Sequence, residues 1–536
     1  MSETRTRWAT PLFAVLSVLA LAMILYAGRN LTFYFDEWNF ILTRRGFTVD
    51  TLLAGHNGHL SLIPVLVYKA LLQVVGIDHY WIYRLALGLL HVTTAWLLFT
   101  LARRRIGDAA GLAAGVLLLA LGAAWDDLVW PFQIGFVGAV AASLAALLAL
   151  ERDTRRGDLL ATVWLIVALC CSSPAIPFVI VAGVELAAGR HWRRLVRVLA
   201  PVVVLYGIWR IGWGSGGPFP APDIGRANAR QAPEFAEYAL QMLQAALQGL
   251  TGFTASGLGA PLSVAAVAAV IAAVVLRPVS PRTLGVLVGV AAFWVLIAAS
   301  RLTLGEPQST RYIYPSAVLI VLLGIELVSA VRPAGARPSP KALVTGAIVL
   351  AVIWVAGSAT MTRGVNTWEP HHRGIEIGLA AMTIAREHVP PGFQPAPSGS
   401  PQITAAAYFE AVDDFGTRVL SPAEIAASPE VDRAGADATL RSLEFAGVAA
   451  ARGRARDCSP VAGDISIPGS SGQIVLRIPS GQSGQLRLKR FADEYPKDAV
   501  AQIPSGLFVV TVKRDSVGRP WIAGVTGAPG AARCAG

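Results

Sequence analysis

Residues 33–84 begin "FYFDEWNF" (Phe33–Phe40), pass through "GHNGHLSLIPVLVYK" (Gly55–Lys69) and end "GIDHYWIYR" (Gly76–Arg84). The stretch lies between two long apolar runs, at about 9–27 and 80–102, yet it carries Asp36, Glu37, Arg44, Arg45, His56, His59 and Lys69. Ionisable groups at a bilayer surface or in a membrane-level cavity cost free energy, so they are usually kept for a site. The acidic pair Asp36-Glu37, just beyond the first run, is the first place to look for chemistry.

The flanking runs belong to a series. The chain is 54% hydrophobic and 15% charged, with mean hydropathy +0.55. Runs of roughly 17–25 apolar residues recur, the length that spans about 30 Å of hydrocarbon. We read eleven spans, at about 9–27, 80–102, 106–124, 134–150, 159–171, 176–189, 198–212, 260–276, 283–300, 313–330 and 342–360. The fifth and sixth are short and broken by "SSPAIP", which suggests a shallow hairpin buried by neighbouring helices. The N-terminus resembles a signal peptide but lacks an A-x-A cleavage site, so it reads as an uncleaved span. The fold class expected is an α-helical polytopic membrane protein with a C-terminal soluble α+β, β-rich domain. Residues 1–360 form the membrane domain, with outer loops at 28–80 and 213–259. Residues 361–536 form an extracytoplasmic domain.

Charge sets the orientation. The N-terminus and alternate loops hold two, three, three, four, two and three Lys or Arg in order, while the outer loop 125–133 has none. This is the positive-inside pattern. It puts the N-terminus in the cytoplasm and explains the net charge of +11 without nucleic acid as a partner. The 213–259 loop opens Gly/Pro-rich and continues at 232–250 with Phe235, Leu240, Leu243, Leu247 and Leu250 near helical spacing, as in a helix lying on the membrane surface.

Composition shifts in the tail. A helix is expected at 374–388, and "GQIVLRI", "GQLRLKR" and "GLFVVTVKR" read as strands between Gly/Ser/Pro turns. His371-His372 reads as exposed. Cys170 and Cys171 lie in an apolar run and read as packing residues. Cys458 and Cys534 are able to form one disulfide if the tail is outside the cell.

Several residues are chemical candidates. A carboxylate at Asp36 or Glu37 is suited to take a proton from an acceptor hydroxyl; the plainer reading is a hydrated loop acid beside interfacial aromatics. His56 and His59, with Asp36 or Glu37, are of the type that binds a divalent cation, the one cofactor considered. Asn57-Gly58 between the histidines argues for a turn rather than a helical face. Asp126-Asp127 lies in the second outer loop between Trp125 and Trp130; Gln133 follows, a weaker candidate for a sugar hydrogen bond. P-loop, G-x-S-x-G and H-E-x-x-H signatures do not occur.

The order of motifs resembles the first outer loop of GT-C membrane glycosyltransferases, the class that includes protein O-mannosyltransferases and the aminoarabinose transferase of lipid A. The matching elements are Asp36-Glu37 after the first span, Gly58 to Pro64, Tyr68-Lys69, Gly76, and Trp81 with Arg84-Leu85. The likeness covers the first 105 residues, extends by span number and loop placement over the next 255, and omits the tail. This chain has "HNGH" where relatives often carry a Lys-Pro-Pro-like segment.

The resemblance implies a polyprenyl-phosphate-linked sugar donor, membrane lipid around it, and an envelope glycan, lipid or protein as acceptor. It implies transfer on the outer face, with Asp36 as base and Glu37 supporting it. The leaving phosphate calls for fixed cations, with Lys69, Arg84 and Arg311 as candidates and His59 as a donor. Asp126 and Asp127 would bind acceptor or metal. Structural alternatives are snorkelling of Arg311 to headgroups and pairing of Arg84 with an acid. Against the enzyme stand two other readings: a transporter or flippase of lipid-linked precursors, and a non-catalytic assembly protein.

Overall fold

The computed structural model describes residues 8–214, 232–254, 257–301, 306–331, 338–396, 399–443, 446–452, 456–461, 463–468, 472–498, 500–513, 515 and 517–535. The Gly/Pro-rich opening of the 213–259 loop lies almost wholly outside them, as do Arg5, Arg7, Arg332 and Arg337. Two compact units emerge. One comprises Met1–Asn30, Arg44–Val74 and Tyr80–Trp368; the other comprises Leu31–Thr43, Val75–His79 and Glu369–Gly536.

The first unit is helical. Among the described residues, nine helices are long and apolar enough to cross a bilayer: Ala9–Ala27, Tyr80–Ile106, Asp108–Val129, Pro131–Leu150, Trp192–Gly212, Gly259–Leu276, Pro281–Arg301, Thr310–Val331 and Pro340–Ile384. They coincide with nine of the eleven expected segments. The other two are the shorter helices Arg155–Cys171 and Ile176–Ala188, parted by extended Ser172 and a single 3-10 turn at Ser173–Ala175. Pro174 and Pro177 lack the N–H that a continuous helix needs, which explains the break.

Small residues let these helices approach. Gly285 and Gly289, four apart on Pro281–Arg301, lie against Ile176–Ala188. A Cβ at Gly285 would sit 2.7 Å from the Val181 carbonyl, and one at Gly289 would strike the Val181 side chain. This is small-residue packing of the kind that joins helices in lipid, where the hydrophobic effect offers little between them. The acids near the ends of spans are neutralised by neighbouring bases. Glu326 pairs with Arg105, which also binds Glu151 at 2.8 Å; Glu185 meets Arg282 at 3.0 Å.

The second unit is β-rich. Among the described residues, nine strands, β1 (Ala446–Ala450), β2 (Arg456–Pro460), β3 (Ile465–Ile467), β4 (Gln473–Ile478), β5 (Gly484–Lys489), β6 (Ala501–Ile503), β7 (Gly506–Val512), β8 (Trp521–Thr526) and β9 (Ala532–Ala535), form two antiparallel sheets. Their orders are β1-β7-β4-β9-β2 and β3-β8-β5-β6. The three strands expected from alternation are β4, β5 and β7. Leu476 and Val510 of one sheet and Leu488 and Trp521 of the other share a core with Ile377 and Leu440 of the helices. Asp437 on the helix Glu430–Ser442 accepts the backbone N–H groups of Arg490, Phe491 and Ala492 at 2.8–3.1 Å. A Cys458–Cys534 disulfide ties β2 to β9.

The two compact units divide between Trp368 and Glu369, inside one continuous helix that also runs through the expected boundary at 360/361. The helix expected at 374–388 is the end of that rod, followed by a 3-10 turn at Arg386–His388. Loss of apolar character ends a membrane span, but it does not end a helix.

Candidate functional site

Asp36 and Glu37 belong to the second unit. They open a short helix, Asp36–Leu42, and both are buried, with Asp36 4% exposed and Glu37 fully enclosed. The residue before them, Phe35, has φ 44° and ψ −111°, a backbone conformation that a residue with a Cβ seldom adopts. Local bonds support this turn. The Glu37 carboxylate accepts the Tyr34 N–H at 2.8 Å, and the Trp38 indole donates to the Phe33 carbonyl at 3.1 Å.

The tail contributes as well. Ser400 Oγ accepts the Phe35 N–H at 3.1 Å, and Gln402 Nε2 donates to the Phe35 carbonyl at 3.2 Å. His372 Nδ1 lies 2.7 Å from the Thr32 carbonyl, and its ring stacks on Tyr34 with centroids 4.7 Å apart. Tyr408 meets Trp38 edge-on. The expectation of an exposed His372 is therefore corrected: the ring is fully buried, because aromatic stacking and a backbone hydrogen bond replace its water.

The other candidates belong to the first unit. His56 and His59 exchange both backbone hydrogen bonds, at 3.0 and 2.9 Å, across a turn in which Asn57 and Gly58 have φ of 51° and 79°. This is the geometry favoured by Asn-Gly in a two-residue hairpin. His59 Nδ1 lies 2.6 Å from Ser173 Oγ. Desolvation of the partly buried ring pushes its pKa down to about 3, with help from the charges of Arg301, His56 and Arg311. His59 is therefore a neutral hydrogen-bonding group at physiological pH.

Two expected phosphate ligands are engaged locally. The Lys69 ammonium donates to the carbonyls of Arg44, Arg45 and Gly46, the last at 2.6 Å. Three carbonyls match its three protons. Arg44 donates to the carbonyls of Thr51, Ala54 and Gly55, so the loop is stitched by its own bases. Arg84 is buried and donates to the Leu25 carbonyl at 2.9 Å. It serves the C-terminal end of the Ala9–Ala27 helix, where unpaired carbonyls and the helix dipole favour a cation. Pairing with an acid, the structural role expected for it, gives way to this carbonyl contact.

Asp126 and Asp127 are also buried. Asp126 accepts the Asp127 N–H at 2.9 Å and a hydrogen bond from the Thr310 hydroxyl. Neither Asp127 oxygen, nor Gln133 Oε1, has a hydrogen-bond partner among the described residues. The charge of Arg311 acts on both aspartates and on His59. Arg311 itself bonds Ser309 Oγ at 3.0 Å and approaches Glu306 at 3.5 Å. Trp368 meets Trp125 and Trp130, which flank the acids, edge-on at 4.7 and 5.4 Å.

The chain matches no protein-family model, and no curated protein or solved structure matches it.

Among the described residues, no group of three or more His, Cys, Asp or Glu is arranged to hold a metal ion. The His56–His59 turn explains part of this. Its backbone pairing makes a hairpin, and His59 spends Nδ1 on Ser173. Sequence reasoning missed Ser400, Gln402, Tyr408 and Ser173, together with a buried His91–Tyr314 hydrogen bond of 2.9 Å. Ser400 lies 365 positions from Phe35, and no local pattern marks it.

Proposed function

We propose that the protein is a membrane glycosyltransferase of GT-C type. It moves a sugar from a polyprenyl-phosphate carrier to an acceptor hydroxyl of an envelope glycan, lipid or protein. The observation that carries the reading is Asp36: a buried carboxylate directly after strained backbone, in the loop following the first apolar helix. Such strain clusters where a fold holds a reactive group in place.

Asp36 takes the proton of the acceptor hydroxyl as its oxygen attacks the anomeric carbon. The bond from that carbon to the phosphate oxygen breaks, and the electron pair leaves with the polyprenyl phosphate. Glu37 supports Asp36 by holding the turn. Among the cations considered in the first unit, Arg311 is the remaining candidate for a lipid phosphate, because the protons of Lys69 are taken by carbonyls and Arg84 is buried against Leu25. His59, Asp126 and Asp127 are proposed as hydrogen-bonding partners of substrate hydroxyls.

We place the second unit outside the cell, in keeping with basic residues in alternate loops and with a disulfide, which persists in oxidising compartments. The test is transfer of labelled sugar from a panel of polyprenyl-phosphate donors by the purified protein in lipid nanodiscs. Label should appear in envelope acceptors. Failure with every donor would remove the reading.

A transporter or flippase of lipid-linked precursors is the second reading. The buried Asp127 and the His91–Tyr314 pair favour it, since ionisable groups inside a helical bundle often mark a transport path. That reading predicts precursor translocation in sealed vesicles and an Asp36→Asn variant that still works.

A further inference from the structure

We infer that Ser400 and Gln402 are positioning residues for Asp36, acting through the backbone of Phe35. The inference rests on the proposed role of Asp36 as base. Phe35 has φ 44°, and a strained conformation in a residue with a Cβ persists only where the surroundings over-determine it. Here both of its backbone polar groups are held from the C-terminal part of the chain. Its N–H goes to Ser400 Oγ at 3.1 Å, and its carbonyl takes Gln402 Nε2 at 3.2 Å alongside the Trp38 N–H at 3.1 Å.

Ser400 is fully buried and donates its own proton to the Gly399 carbonyl at 2.7 Å, which leaves its lone pairs to accept from Phe35. Gln402 Oε1 is buried with no hydrogen-bond partner among the described residues, so the amide is kept there for its donor alone. A buried acceptor left unsatisfied costs stability and calls for an explanation. Holding Phe35 supplies one. If the clamp opens, Phe35 relaxes toward negative φ, a rotation of roughly 100°. The direction of the Asp36 side chain changes with it. Neither Ser400 nor Gln402 needs to touch substrate, so the effect falls on turnover and not on donor binding.

The experiment uses the full-length chain in nanodiscs. Ser400→Ala, Gln402→Ala, the double variant and Ser400→Thr are made in the native background and again with Phe35→Gly. Two quantities are read: kcat and KM for sugar transfer, and the rate at which a hydrophobic carbodiimide labels Asp36, followed by peptide mass spectrometry. The double variant should lose roughly 100-fold in kcat at unchanged KM, the scale expected for an ångström of misplacement. Its Asp36 labelling rate should change, and Ser400→Thr, which keeps the hydroxyl, should behave as native. With Phe35→Gly the same deletions should cost little, because glycine holds positive φ without help. Equal losses in both backgrounds, or a rise in KM alone, would overturn the inference. If the native protein transfers no sugar at all, the assignment of Asp36 as base fails, and labelling alone decides the clamp. Coupling between the clamp and Phe35 upholds it; additivity removes it.

Discussion

The carboxylate of Glu37 accepts the backbone N–H of Tyr34 at 2.8 Å, which ties this acid to the turn that precedes it. Glu37 holds the turn, and Asp36 is the one assigned to chemistry. Glu37→Ala should therefore lower stability by about 1–3 kcal/mol, the cost of leaving a buried donor unsatisfied. Asp36→Asn, which keeps the shape of the side chain, should lower it less. Thermal melts of both variants in one detergent check this; the reverse order of stabilities would contradict it.

Lys69 and Arg311 are expected to differ in the same way. Lys69→Met removes the group that gathers the carbonyls of Arg44, Arg45 and Gly46. It should loosen that loop, seen as faster proteolysis or hydrogen exchange, with KM for the donor little altered. Arg311→Met should raise donor KM roughly tenfold, about 1.4 kcal/mol of lost phosphate binding, without loosening the loop. Steady-state kinetics on the two variants separate the roles.

Asp127 is buried, and neither oxygen has a hydrogen-bond partner among the described residues. An acid kept under those conditions is expensive. Asp127→Asn should thus raise the melting temperature by a few degrees, on the order of 1 kcal/mol, while reducing transfer. A variant that is less stable and fully active would show that the carboxylate serves packing.

His59 supplies a pH dependence. Its folded pKa, about 3, lies below the ordinary value of 6.5. Between those values the unfolded chain holds a proton on this ring that the folded chain does not. Stability from the neutral ring is complete above about pH 6.5 and is lost as pH falls toward 3, by at most about 1.4 kcal/mol per pH unit. Melts of the native protein and His59→Gln from pH 7.5 to 4.5 should show a shallower acid decline in the variant. Parallel curves would rule out this contribution.

The disulfide and the proposed orientation make a joint prediction. Cys458→Ala should cost about 2–5 kcal/mol in the β-rich unit, since the bridge closes a sequence separation of 76. In cells, alkylation should block Cys458 and Cys534 only after reduction. A phosphatase reporter fused after Gly392 should be active. Free thiols together with a silent reporter would place the tail in the cytoplasm.

Local pattern explains what the sequence revealed. Runs such as 9–27 and 283–300 are legible because a bilayer demands about 20 apolar residues in succession. The strands at Gln473–Ile478 and Gly484–Lys489 are legible because alternation mirrors a half-buried sheet. Asn57-Gly58 announced its turn through the backbone freedom that such a turn needs. The continuity of Pro340–Ile384 was hidden, since a helix continues past the point where its lipid-facing character ends. At the site, Asp36 stood out by type and place. Its supports at Ser400, Gln402, His372 and Tyr408 did not, because a hydrogen bond between residues hundreds of positions apart leaves no local trace. Lys69 and Arg84 read as phosphate ligands because charge is visible in a sequence, while the carbonyls that engage it are not.

The most direct test of the central claim is a single-turnover comparison of the native protein with Asp36→Asn, both in nanodiscs loaded with a transferable polyprenyl-phosphate sugar. The account predicts unchanged donor binding and a transfer rate lower by about 100-fold or more, the minimum expected for removal of a general base. Transfer by Asp36→Asn at the native rate would contradict it.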